Sequence, residues 1–188
     1  MKNIQKPWIA TGYRSFAYEG PNGLKVERMS KEVGKNKSSF YHLFADLEVF
    51  TTALLDYHLE QSRVIAEKES KCETLEELIG IIVAHKIDLL FNRQLRVHRE
   101  NIEFEKYFLK VNNISIPAIL PIWSKLIELN DNSYLAELVL RLSLENFFLQ
   151  ITDETLNTTW LHEYFKGVKT LVRQFKMTGS VTSLDGSV

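Results

Sequence analysis

One cysteine, Cys72, among 188 residues excludes an intramolecular disulfide framework and a Cys-x-x-Cys metal site, and it suits a reducing compartment. No uncharged apolar run approaches the 18 or so residues of a membrane span, and the opening MKNIQKPW lacks the apolar core of a secretory signal. The expectation is a cytoplasmic chain with no membrane partner. There is no phosphate-cradling glycine loop, no nucleophile elbow and no HExxH. The five histidines, at 42, 58, 85, 98 and 162, are scattered, and none follows a glutamate by three residues, so the di-iron motif of helical bundles is missing too. No catalytic residue, metal or cofactor is expected, and the chain reads as a non-enzyme. No alternating strand pattern and no internal repeat occurs, which leaves an all-α class.

What is present is apolar residue in quantity and an uneven distribution of charge. At 45% hydrophobic, the chain can bury a real core; domains of this size bury about 70% of their unfolded surface. The formal net charge of −1 hides an asymmetry. Residues 1–44 hold eight Lys/Arg against three acids, a net of +5, and the rest holds 15 against 21, a net of −6. A basic head on an acidic body fits an N-terminal domain that meets phosphate.

That head is organised around Val26 to Phe44, VERMSKEVGKNKSSFYHLF. Val26, Met29 and Val33 recur at helical spacing until Gly34, which can end a helix in the left-handed conformation. Asn36 is a good N-cap for a second helix over about 37–43. Phe40 and Phe44 face inward there, leaving Lys37, Ser38, Ser39, Tyr41 and His42 outside. Two turns of helix bury too little to stand alone, so neighbours must hold them. A helix, a short turn and a short helix with a polar outer face form the layout of a helix-turn-helix DNA reader.

The run Gly34-Lys35-Asn36-Lys37-Ser38-Ser39-Phe40-Tyr41-His42-Leu43-Phe44 resembles the recognition-helix signature of the TetR (tetracycline-repressor-like) family of bacterial transcriptional regulators. Phe16 to Gly20 resembles the end of that family's first helix, and Gly23 to Val26 the approach to its second. Lys35 stands where the family usually has an apolar residue, Leu43 where histidine is frequent, and Leu47 where a phosphate-touching lysine commonly opens the fourth helix. The likeness covers about the first fifty residues. It implies a three-helix DNA-binding domain over 1–46, a helical ligand-binding and dimerisation domain over 47–177, and about nine helices in all. Residues 178–188, small and polar, are expected to be a disordered tail. The implied partners are double-stranded DNA, a second copy of the chain, and a small apolar effector of unknown identity. The implied function is a sequence-specific regulator acting as a repressor. Lys25, Arg28, Lys35, Lys37, Ser38, Ser39, Tyr41 and His42 are the candidate DNA-binding residues.

In chain order, Pro7 suits a helix start, and Trp8, Ile9, Phe16 and Ala17 supply that helix's inner face, with Gly12 allowing a neighbour close. Gly20-Pro21-Asn22-Gly23 is a turn. Asp46 caps a long helix over about 47–68 that joins head to body. Residues 75–91 form one central helix, apolar on nearly all sides, and 93–99 is polar. Pro117 and Pro121 delay or kink a helix in the apolar stretch around them. Two long helices fit 133–152 and 155–176.

Exposed apolar stripes on those last two helices make a four-helix dimer interface the expectation. The candidate interface residues are Leu135, Leu138, Leu142, Phe148, Leu149, Trp160, Leu161, Tyr164, Phe165, Val168, Leu171 and Phe175. An effector pocket is expected between 75–91, 102–126 and 133–152. Its candidate lining is His85, Asp88, Phe104, Tyr107, Phe108, Trp123 and Asn146. His85 and Asp88 on one helix face read either as such a site or as a buried hydrogen-bonded pair. A second reading of different class stays open: an all-helical binding or interaction module that no longer reads DNA.

Overall fold

The computed structural model describes residues 4–181 and is built from nine α-helices and one 3-10 turn among them, with no strand. The helices are α1 (Lys6–Glu19), α2 (Val26–Val33), α3 (Lys37–Phe44), α4 (Leu47–Glu69), α5 (Leu75–Ala84), α6 (Lys86–Val97), α7 (Ile102–Leu126), α8 (Ser133–Gln150) and α9 (Thr158–Val181). The 3-10 turn Pro21–Gly23 occupies the expected break between α1 and α2.

Local chemistry sets most of the boundaries. Pro7 sits in the first turn of α1, where its missing N–H leaves no hydrogen bond unmade. Gly34 closes α2 at φ 68°, ψ 34°. Asp46 and Thr74 accept backbone N–H groups at the starts of α4 and α5, the latter in a full capping box with Glu77. Between α3 and α4 the reversal is sharper than a simple break. Ala45 lies at φ 61°, ψ −56°, and the Asp46 N–H donates to Phe44 O at 2.6 Å. This is a γ-turn with positive φ, a strained conformation for a residue with a Cβ.

The core runs continuously from Trp8 and Phe16 in α1 through Phe40 and Phe50 to Phe91, Phe108, Phe148 and Leu161. A second cluster around Trp123, Ile127, Leu140 and Val172 closes the far end. Aromatic contacts fix the head. Phe40 meets Trp8 at 5.4 Å and Phe50 at 5.1 Å between ring centroids, and Gly12 lets the Phe50 ring approach α1 so closely that a Cβ there would sit 2.4 Å from Phe50 Cζ. The head is also joined to the body, because Phe91 of α6 stacks on both Tyr13 (4.4 Å) and Phe16 (4.3 Å) of α1.

Several expectations need correction. The central helix is two helices: the chain turns at His85 (φ −107°, ψ 27°), and α6 continues through the polar residues to Val97. The two prolines do not interrupt α7, which runs unbroken through both. Pro117 and Pro121 are four residues apart and exposed, so the carbonyls they leave without an N–H partner face water on one side of the helix. Of the tail expected to be disordered, residues 178–181 continue α9, and the rest lies outside the described residues.

Candidate nucleic-acid interface

Four residues aim α3. Gly34 takes the left-handed turn, and Asn36 Oδ1 accepts both the Ser39 N–H and the Ser39 hydroxyl at 2.8 Å. Phe40 and Phe44, both buried, anchor the opposite face. Lys37, Ser38, Tyr41 and His42 then stand exposed on a helix whose inner side is held by rings from α1 and α4. Tyr41 is 51% exposed even with its ring edge-on to Phe40 at 5.4 Å.

The candidate residues are not equally free. Lys25, Lys35, Lys37, Ser38, Tyr41 and His42 are exposed, and Ser39 is half-buried with its hydroxyl engaged in the cap. Lys37 Nζ stands 3.4 Å from Glu27 in an exposed pair, worth so little in water that a phosphate can replace the carboxylate. Arg28 is different. It grips Glu19 with two nitrogens, each 2.8 Å from a carboxylate oxygen, and donates to Gly23 O at 2.7 Å. It ties α2 to the end of α1 and the 3-10 turn, which takes it out of the free basic set; its hydrogen bonds hold the Glu19 carboxyl below the usual range.

Behind this face a buried polar chain links head to body. The Tyr13 hydroxyl of α1 donates to Asp88 Oδ1 at 2.8 Å and lies 2.7 Å from His58 Nδ1. His58 Nε2 lies 3.4 Å from Asn92 Oδ1, so the ring has a polar partner on both sides. Burial pushes His58 down to about 4 and, with Asp88, pushes the Tyr13 phenol up. Asp88 Oδ2 meets His85 Nδ1 at 3.0 Å, and His85 Nε2 meets Lys68 Nζ at 2.8 Å. Residues 45 and 75 positions apart in sequence thus share one hydrogen-bonded cluster.

His58 and Asp88 also border a cavity of about 80 Å³ inside the body, lined from α4, α5, α6, α7, α8 and α9. Of the lining expected from sequence, Asp88 and Trp123 are in place. His85 is not: it lies at the α5–α6 turn, bonded to Asp88 and Lys68. Phe104 packs on Phe16, Phe108 on Phe148, and Tyr107 donates to Asp56 at 2.5 Å. Asn146 is exposed and accepts from Gln150. Sequence reasoning missed His58, Glu69, Asn92 and Asn112; their only signal was polar residues on the inner stripes of α4, α6 and α7.

No protein-family model matches this sequence, and a comparison with curated proteins finds no match. Among solved structures the chain is similar to a candidate TetR-family transcriptional regulator from Rhodococcus sp.. The two align over 92% of this chain and 95% of that one, with a TM-score of 0.54 and 13% identity. The chain has the TetR-regulator fold. Within this fold, α1–α3 precede the long α4, which packs most heavily on α7.

The TetR-type body leaves one apolar face without cover. Leu135, Leu138, Leu142 and Leu149 of α8 and Leu171 and Phe175 of α9 are exposed, Leu142 by 65% and Phe175 by 69%. Trp160, Tyr164, Phe165 and Val168 are half-buried beside them. Phe148 and Leu161, expected on the same face, belong instead to the chain's own core. Their stripes are wide enough that one edge turns inward and the other outward. Among the described residues no helix is long and apolar enough to cross a membrane, and no three His, Cys, Asp or Glu side chains gather as a metal site.

Proposed function

We propose that this protein is a dimeric, sequence-specific DNA-binding regulator, acting as a repressor under the control of a small effector. The observation that carries the reading is α3 itself: a two-turn helix after a left-handed glycine, held from behind by Phe40 and Phe44, presenting Lys37, Ser38, Tyr41 and His42 to solvent. The two rings seat the helix, and its outer side chains are of the kinds that meet base edges and phosphates. The net +5 of residues 1–44 supports the same face. The uncovered leucines of α8 and α9 support a two-fold pairing with a second copy, which sets two α3 helices side by side. The cavity and the polar chain from Asp88 to Tyr13 support control of the head from the body. An effector acts this way when it binds one arrangement of the two heads better than another.

Selection of bound duplexes from a random pool tests the reading. The expected product is a pseudo-palindrome whose half-sites are one helical turn apart, about 34–36 Å. One observation favours the second reading, an interaction module that no longer reads DNA: Leu47 offers no charge at the start of α4. A pool that shows no enrichment at low salt decides for that alternative.

A further inference from the structure

The cavity in the body carries a charge pattern that specifies its occupant. Its wall holds two carboxylates, Glu69 and Asp88, and no lysine or arginine. The one other ionisable base, His58, is neutral within its own hydrogen bonds. Asp88 is already engaged, accepting from Tyr13 and facing His85. Glu69 is not. It is 4% exposed at the last turn of α4, and its Oε2 is buried without any hydrogen-bond partner. A buried carboxylate without a partner is costly, and this one borders an open space rather than packed side chains. Leu78, Ile82 and Phe147 supply apolar wall, and Asn112 and Ser115 supply polar atoms on α7.

We propose that this cavity binds a small organic ammonium ion, with the Glu69 carboxylate as its counter-charge and the apolar wall around its carbon substituents. The proposal rests on the reading of the body as an effector domain and names the effector's chemical class. An anion would meet two carboxylates and no cation. A neutral apolar molecule would leave Glu69 Oε2 as it stands, without a partner. A bare metal ion would find one free carboxylate, and no group of three ligands occurs among the described residues. An alkylammonium gives the carboxylate a charge-assisted hydrogen bond and buries its carbons against leucine, isoleucine and phenylalanine. Burial that holds the Glu69 carboxyl up at about 7 agrees with a group awaiting a positive partner. Size narrows the class further. A cavity of 150 Å³ takes benzene, so this one takes about three or four non-hydrogen atoms, the size of propylammonium.

The test is a titration of the full chain with propylammonium, propanol and acetate, each of four non-hydrogen atoms, followed by the Trp123 indole N–H resonance, since Trp123 lines the cavity and donates to Ala136 O at 3.0 Å. Propylammonium is expected to shift that resonance saturably and to bind at least about tenfold more tightly than propanol, with acetate weakest. Glu69→Gln, checked for folding by circular dichroism, is expected to reduce propylammonium to the level of propanol. Equal binding of amine and alcohol, preference for acetate, no saturable shift, or an amine preference that survives Glu69→Gln would each overturn the proposal. No DNA enters this titration, so a chain that fails to bind duplex can still pass it, and one that reads DNA can still fail it.

Discussion

Replacing Glu69 by glutamine should stabilise the protein above neutral pH and leave it unchanged in acid. The carboxyl is buried without a partner for Oε2, and burial raises it from 4.5 to about 7. A carboxyl whose folded pKa is raised favours folding fully below its unfolded value, and that support is lost as pH rises through the folded value. At pH 8 the ionised side chain therefore costs the native state roughly 3 kcal/mol relative to pH 4, at 1.36 kcal/mol for each unit between 4.5 and 7. Glutamine has nearly the same shape and cannot ionise. For a chain of this size that difference corresponds to about 6–12 °C in melting temperature. His58 acts in the opposite sense. Its folded pKa is depressed from 6.5 to about 4, so its support is complete above 6.5 and is lost as pH falls through 4. In the unaltered protein the two terms offset each other between 4.5 and 6.5, and stability stays nearly flat. In Glu69→Gln only the histidine term remains, and stability climbs with pH. Calorimetric melts of both proteins from pH 4 to 8 check this. A variant that melts lower than the parent at pH 8, or by the same margin at pH 4 and pH 8, would refute the reasoning.

Gly34→Ala should cost about 1–2 kcal/mol for backbone alone, since φ is 68° and nothing lies within 4 Å of the added Cβ; urea unfolding measures it. Gly12→Ala sits at ordinary φ but drives its Cβ into the Phe50 ring, so a loss of about 1–3 kcal/mol is expected from crowding, and double substitution with Phe50→Leu should recover part of it. Leu142→Asp with Phe175→Asp should shift the light-scattering mass toward the 21.9 kDa of one chain without altering helix content. Lys37→Ala should relax preference at one base position or lower affinity by about 1–3 kcal/mol, whereas Tyr41→Phe should weaken binding to all duplexes alike, as competition assays on the selected site will show.

Those elements that short-range chemistry decides were legible in the sequence. Gly34, Asn36, Asp46 and Pro7 act on backbone groups within four residues, and Phe40, Phe44 and Gly12 announced the inner face of the head. The break at His85 was not legible, because LEELIGIIVAHKIDLLF has no proline and its only glycine lies five residues earlier, inside α5. At the turn His85 bonds locally to Asp88, three residues on, and across to Lys68 of α4. Prolines misled for the converse reason: their effect depends on which way they face, and at 117 and 121 they face solvent. The cavity lay between the expected helices, yet most of its expected lining was wrong, since large aromatics such as Phe104 and Phe108 fill space against other rings rather than border a void. His58 and Glu69 sit in a polar-looking helix, and nothing local shows that they are buried.

Salt dependence of duplex affinity tests the central claim most directly, because only real phosphate contacts release counterions. With two or three phosphates neutralised by each of two heads, log affinity should fall against log salt with a slope of roughly −4 to −5, and Lys37→Ala in both heads should flatten it by up to about 2. A slope near zero, or a slope that Lys37→Ala leaves untouched, would contradict α3 as the DNA-reading element.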